Sequence, residues 1–335
     1  MPNKADSEIR IPTITDVLAA RKNLGSSVRH TPLEYSYPLS AKTGAFVYLK
    51  LENLQHANSF KIRGAINKMR SLSDEQREKG VITASSGNHA QGLATAAAML
   101  KSRAVICVPE LCPETKKQSV VARGGVYVEL RVVGAQYDDT ERAAFRMAEE
   151  EGLLFVSAFE DTQIAAGQGT LAVEMLEDEP ELDIVFCPLS GGGLLTGVAV
   201  AARALRPGIG LWGTMARNNR SWQHAWEVGR VEPIRELDSV ADALGGAASP
   251  KLFPFIRGTI DGIVDASEDE IERCMAWMHK HHHLVVEGAS ATAVAALLSG
   301  KVDVRGKKVG VVITGGNVDD AKLIRILEKY AGEPD

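Results

Sequence analysis

Short runs of β-branched and apolar residues recur along this chain: VYLKLE (47–52), VITASS (81–86), AVICVP (104–109), VYVELRVV (126–133), DIVFCPLS (183–190) and KVGVVIT (308–314). Between them lie longer amphipathic or Ala-rich segments such as KIRGAINKMRSL, NHAQGLATAAAMLK, DDTERAAFRMAEEEG and TGVAVAARAL, several of them closed by Gly or Pro. Runs this short and this apolar predict strands buried on both faces, and the intervening segments predict helices. Strand followed by helix, repeated, gives an α/β fold with a parallel sheet covered on both faces. At 335 residues the chain exceeds the size at which one core suffices, so two lobes are expected.

Charge narrows the class of partner. Lys and Arg number 38 against 43 Asp and Glu, a formal net charge of -5, which offers no basic field for nucleic acid or an anionic membrane. The start MPNKADSEIRIPTITDV lacks a charged segment followed by an apolar run, and no stretch is long and apolar enough for a membrane helix. A cytoplasmic protein acting on small molecules is expected. Cys107, Cys112, Cys187 and Cys274 form no C-x-x-C pair, as befits buried, reduced thiols. The irregular segment 216–255 carries tryptophans and apolar pairs that need burial, so it reads as loops and short helices rather than a linker.

In an open parallel sheet, ligands sit beyond the carboxyl ends of the strands. Three strands end there in glycine and small polar residues: SSGNHAQG after Ala84, SGGGLLTG after Leu189 and TGGN after Ile313. In SGGGLL, consecutive glycines let backbone N–H groups approach an anion, and the helix starting near Leu194 adds its positive end. The same stretch also fits a plain tight turn. SSGNHAQG offers hydroxyls, an amide and an imidazole at another helix start, able to receive a carboxylate or a phenolic oxygen. Ser86 or Asn88 as a simple helix cap is the other reading of it.

Taken in order, KLENLQHANSFKIRGA, SSGNHAQG, FEDTQIAAGQGT, PLSGGGLLTG and ITGGN resemble the fold-type II pyridoxal-phosphate enzymes of the serine/threonine dehydratase and serine racemase family, from about Ile14 to the helix after Asn317. The resemblance implies two open parallel-sheet lobes of the tryptophan synthase β type with the cofactor between them. Residues 1–55 with 154–335 would form the large cofactor-binding domain, and 56–153 a small domain inserted in it. Lys61 matches the lysine that carries pyridoxal 5'-phosphate, and Phe60 the residue packed against its ring. Gly191, Gly192, Gly193 and Leu194 match the phosphate loop, Asn88 the partner of the ring hydroxyl, and Thr314 the neutral hydroxyl near the pyridine nitrogen. Ser86 matches the serine facing the cofactor opposite the lysine, and the backbone of Ser85, Ser86, Gly87, Asn88 and His89 the cradle for the substrate carboxylate.

The chemistry of these residue types agrees with those roles. A lysine buried beside an aromatic ring loses proton affinity and becomes a nucleophile and then a base. An uncharged Thr314 leaves the ring nitrogen without a proton, which favours prompt loss of a β-leaving group over a long-lived carbanion. The resemblance therefore implies a lyase of the ammonia-lyase type, serving amino-acid catabolism: β-elimination of water from a β-hydroxy-α-amino acid to a 2-oxo acid and ammonia. Threonine, serine or a bulkier analogue such as phenylserine are the candidate substrates. Glu141, aligned where relatives that take β-hydroxyaspartate are expected to carry arginine, points to a neutral substrate side chain. A small-molecule substrate, a homodimer, and no nucleic-acid or membrane partner complete the implication. No room is expected for a C-terminal regulatory domain.

Some features depart from that pattern. GTMARNNR (213–220) replaces the segment whose acidic residue contributes a divalent-cation site in several members. The last third looks like dehydratases associated with hydroxyectoine use, an alternative substrate route. In CMAWMHKHHHLVVEG (274–288), a helix starting at Ser267 with Glu270 as capping-box partner would put His279 and His283 on one face, where they could hold a metal or haem. A solvated helix end is the alternative there. Two other readings remain open: a racemase using Lys61 and Ser86 as bases on opposite faces, and a non-catalytic ligand or haem sensor, which would need no such set of residues.

Overall fold

Strands with apolar residues at consecutive positions need cover on both faces, and the chain supplies it with helices from either side of each strand. The computed structural model describes residues 9–235 and 237–332. Its strands are β1 (Leu33–Tyr35), β2 (Phe46–Leu51), β3 (Val81–Ala84), β4 (Ala104–Val108), β5 (Val128–Val132), β6 (Leu154–Phe155), β7 (Ile184–Pro188), β8 (Gly210–Ala216), β9 (Gly262–Ala266) and β10 (Lys308–Ile313). Helices in the first half are α1 (Ile14–Leu24), α2 (Tyr37–Thr43), α3 (Lys61–Arg70), α4 (Asp74–Lys79), α5 (Asn88–Leu100), α6 (Glu114–Gly124) and α7 (Tyr137–Glu151). The second half adds α8 (Thr162–Asp178), α9 (Gly193–Leu205), α10 (Ser221–Val228), α11 (Phe253–Thr259), α12 (Glu268–His282), α13 (Gly288–Leu298) and α14 (Asp320–Tyr330).

Two sheets result. One has the order β1-β2-β10-β7-β8-β9 and the other β5-β4-β3-β6. All pairings are parallel except β1 with β2, an antiparallel edge. On the larger sheet, α2, α12, α13 and α14 build one core with Phe186, Val309 and Val311, while α1, α8, α9, α10 and α11 build another with Val185, Leu211 and Val312. The smaller sheet is packed by α3 and α5 on one side and α7 on the other. The segment 216–255 forms α10 with short 3-10 turns, and Trp222 is fully buried there. No helix of the described residues is long and apolar enough to cross a membrane.

The carboxyl ends of β2, β7, β10 and β3 face a common cleft. Ser59 bridges to Gly315, so the chain leaving β2 is tied to the chain leaving β10.

Candidate active site

Helix α3 starts at Lys61, and its position is fixed from both sides. The Phe60 N–H donates to the Thr314 carbonyl at 3.0 Å. Two residues into the helix, the fully buried Arg63 donates to Glu52 at 2.8 Å and to Glu174 at 2.7 Å, and Lys50 donates to the other Glu174 oxygen at 2.6 Å. Two cations thus meet two carboxylates, the condition under which buried charge is tolerated. A Cβ on Gly167 would fall 2.7 Å from the Arg63 carbonyl, so α3 and α8 meet backbone to backbone.

The Lys61 amine projects into a cavity of about 290 Å³ between the sheets. Its Nζ lies 5.2 Å from the Phe60 ring centroid and donates to the Ala158 carbonyl at 3.0 Å. Burial lowers its pKa to about 8, against the pull of the Glu287 carboxylate. At neutral pH a useful fraction of the amine is therefore unprotonated.

Facing it are two helix starts without side-chain caps. Gly87 caps α5 and Gly192 caps α9, and neither Ser86 nor Asn88 serves as a cap. The orphan N–H groups of both first turns are left for an anion. Gly192 has φ +99°, a left-handed conformation, and a Cβ on Gly191 would sit 2.3 Å from the Phe159 ring. A Cβ on Gly87, in contrast, would meet nothing within 4 Å: this backbone lies open to the cavity.

Polar side chains complete the walls. Asn88 donates from Nδ2 to Glu287 at 2.8 and 3.0 Å, and its Oδ1 accepts from Asn317 at 2.7 Å. The Thr314 hydroxyl lies 3.0 Å from that of Ser290, which in turn accepts from the Gly315 N–H. Ser86 also lines the wall, and burial raises the pKa of the Cys112 thiol, which donates to the Pro113 carbonyl at 3.7 Å. Burial, with Lys61 adding to it, pushes His89 down to about 3, so its imidazole is neutral. At the mouth, Lys116 of α6 pairs with Asp242 at 3.2 Å. Tyr137 donates to Glu141 at 3.1 Å, and burial raises the Glu141 pKa.

Phe60, Lys61, Ser85, Ser86, Gly87, Asn88, His89, Gly191, Gly192, Gly193, Leu194 and Thr314 all line this one cavity. The histidine pair does not follow the helical-face expectation. The capping box of Ser267 and Glu270 is present, but α12 ends at His282, and His283 has φ 55° as the left-handed residue after it. The spacing of four therefore gives no common face. It is His282 that turns inward, 3.0 Å from Ser36 Oγ, while His281 stacks on Trp277. Among the described residues no group of three or more His, Cys, Asp or Glu could hold a metal ion. In place of an acidic segment after β8 stands Arg217, bound to Asp265 at 3.1 Å.

The sequence reading passed over Glu287, Asn317, Tyr137, Lys116 and Asp242, which also line the cavity. Glu287 had a signal: a single carboxylate inside the apolar run LVVEGASATAVAALL has little chance of being solvated.

The donor set fits pyridoxal phosphate. A depressed amine suits an aldehyde, uncapped glycine turns suit a phosphate, Asn88 suits a phenolic oxygen, and Thr314 suits a ring nitrogen.

Comparison with known proteins points the same way. The family described as Pyridoxal-phosphate dependent enzyme matches residues 25–315. An L-threonine ammonia-lyase of Thermotoga maritima is 38% identical over 318 residues, covering 95% of this chain and 78% of its own length. An L-threo-3-hydroxyaspartate ammonia-lyase of Saccharomyces cerevisiae is 38% identical over 313 residues, covering 92% of this chain and 94% of its own. The structure of maize serine racemase superposes with a TM-score of 0.90 at 30% identity, covering 96% of this chain and 98% of that one.

Proposed function

The chain belongs to the pyridoxal-phosphate-dependent enzymes of the serine/threonine dehydratase family, and from that membership we propose that it removes water from a β-hydroxy-α-amino acid with an uncharged side chain, such as threonine or serine, to give a 2-oxo acid and ammonia. The observation that carries the reading is the Lys61 amine, buried with its pKa lowered to about 8 and set among two uncapped helix starts.

When bound, pyridoxal phosphate supplies the electron-withdrawing ring that makes a substrate α-proton removable. Lys61, Asn88, Thr314 and the turn Gly191, Gly192, Gly193 and Leu194 would hold it, with Phe60 beside the ring. The remaining work belongs to the protein. The fraction of Lys61 amine that is unprotonated near neutral pH takes the α-proton at Nζ. The N–H groups of residues 86–89 would bind the substrate carboxylate at the start of α5; the Ser85 N–H, expected among them, is instead taken by the Cys107 carbonyl at 3.1 Å. Phe159, Leu194 and Leu244 give the cavity an apolar wall that would limit water around a bound substrate. At the mouth Lys116 pairs with Asp242 and Tyr137 donates to Glu141, so among the described residues lining the mouth the cation is paired with a carboxylate rather than held for a second substrate carboxylate.

The division into a large domain of 1–55 with 154–335 and an inserted domain of 56–153 is part of this proposal. The two sheets support it, although β6 pairs with the smaller sheet just past the boundary. A homodimer and a cytoplasmic location complete it, the latter supported by cysteines that are all free and buried.

A panel of β-hydroxy amino acids, with 2-oxo acid release followed for each, tests the reading. Threonine or serine is expected to turn over faster than β-hydroxyaspartate. A preference for β-hydroxyaspartate would overturn the side-chain assignment.

A further inference from the structure

Glu287 is the one buried carboxylate on the cavity wall that the reaction above leaves without a task. It is 3% exposed and precedes α13, yet its side chain caps nothing. Its Oε1 packs against Gly315, where a Cβ would lie 2.8 Å away. The charged groups that face it are Asp242 from the loop before α11, Lys116 of α6 and Lys61 of α3.

The amide orientations around it follow from what each partner can do. The Ala57 carbonyl only accepts, so the Asn317 group at 2.9 Å from it is Nδ2. The second Asn317 N–H then donates to Asn88 Oδ1, which turns Asn88 Nδ2 toward Glu287. Both Glu287 oxygens lie on one side of that Nδ2, at 2.8 and 3.0 Å, and share a single N–H. The other N–H of Asn88 has no acceptor among the described residues, and Asn88 lines the cavity.

We propose that Glu287 is a positioning residue that acts through Asn88: with Asn317 it locks the amide so that only a donor can face the phenolic oxygen of the cofactor. Without Glu287 the amide gains freedom to turn its carbonyl inward, where it would repel that oxygen. Burial raises the Glu287 pKa to about 7, and even the protonated acid keeps a carbonyl oxygen to accept from Asn88. The inference rests on the cavity being the pyridoxal-phosphate site.

The test is the dissociation constant of pyridoxal phosphate, measured by equilibrium dialysis on the parent and on Glu287→Met, Glu287→Gln, Asn88→Ala and the Glu287→Met/Asn88→Ala pair. Met fills the volume without an acceptor, whereas Gln retains one. Glu287→Met and Asn88→Ala are each expected to weaken binding roughly tenfold, the scale of one hydrogen bond to a charged group. The double variant is expected to be no weaker than Asn88→Ala alone, because both changes remove the same contact. Glu287→Gln is expected to bind within about twofold of the parent, as an acceptor is retained. Multiplying losses in the double variant, or a tenfold loss in Glu287→Gln, would overturn the proposal. Binding by Glu287→Met within twofold of the parent would overturn it as well. A parent that binds no pyridoxal phosphate at all would remove the underlying site assignment and the proposal with it.

Discussion

Among the residues of the cavity, Lys61 carries the most chemistry, and its environment makes a quantitative demand. A lysine in water loses its proton above pH 10, whereas burial brings Lys61 to about 8. Reaction of the protein with pyridoxal phosphate is therefore expected to accelerate as pH rises and to level off just above pH 8. A stopped-flow pH series showing continued acceleration through pH 10 would contradict the burial argument. Ser86 separates elimination from racemisation. In elimination Lys61 alone must take the α-proton, while racemisation also needs a proton delivered to the opposite face. Ser86→Ala is thus expected to keep measurable 2-oxo acid formation while losing any interconversion of enantiomers. Loss of both together, from a parent that racemises faster than it eliminates, would favour a racemase. Asn88, Thr314 and the glycine turn were legible because each sits in a short motif at a strand end, and Lys61 because it opens α3 inside the motif NSFKIRGA. Glu287 stood out as a lone carboxylate in an apolar run, but its task did not, since Asn88 and, through it, Asn317 are brought to it by the fold.

The element that matters most is α3, because it carries Lys61 and touches both halves of the molecule. Arg63 anchors it to Glu52 after β2 and to Glu174 of α8, with Lys50 balancing the charge. Arg63→Met would leave two buried carboxylates with one cation. Breaking such a network costs about 3–5 kcal/mol, which chemical denaturation would register, whereas a loss under 1 kcal/mol would mean water reaches the site. Parallel strands with continuous Val and Ile runs were legible, and so was the capping box that starts α12. The strands that escaped notice have physical reasons to do so. β1 and β6 are too short to show a period. β8 and β9 carry glycines where packing is closest: a Cβ on Gly213 would fall 2.8 Å from Leu189, and one on Gly262 would fall 2.5 Å from Trp212. Glycine reads as a break in a strand, and here it marks contact between layers.

At the level of the whole molecule, two sheets hold one cavity, and its walls come from distant parts of the chain: α3, the starts of α5 and α9, and the end of β10. The repeated strand-helix pattern made that architecture legible. The mouth was not, because Lys116 and Asp242 lie 126 positions apart and meet only in the folded chain. The function follows from the convergence of these parts on one amine. The most direct test is 2-oxobutanoate and ammonia release from L-threonine, with saturating pyridoxal phosphate, by the parent and by Lys61→Ala at matched folded concentration. The parent is expected to release the two products in equal amounts and Lys61→Ala neither; equal rates from the two proteins would contradict Lys61 as the group on which the reaction depends.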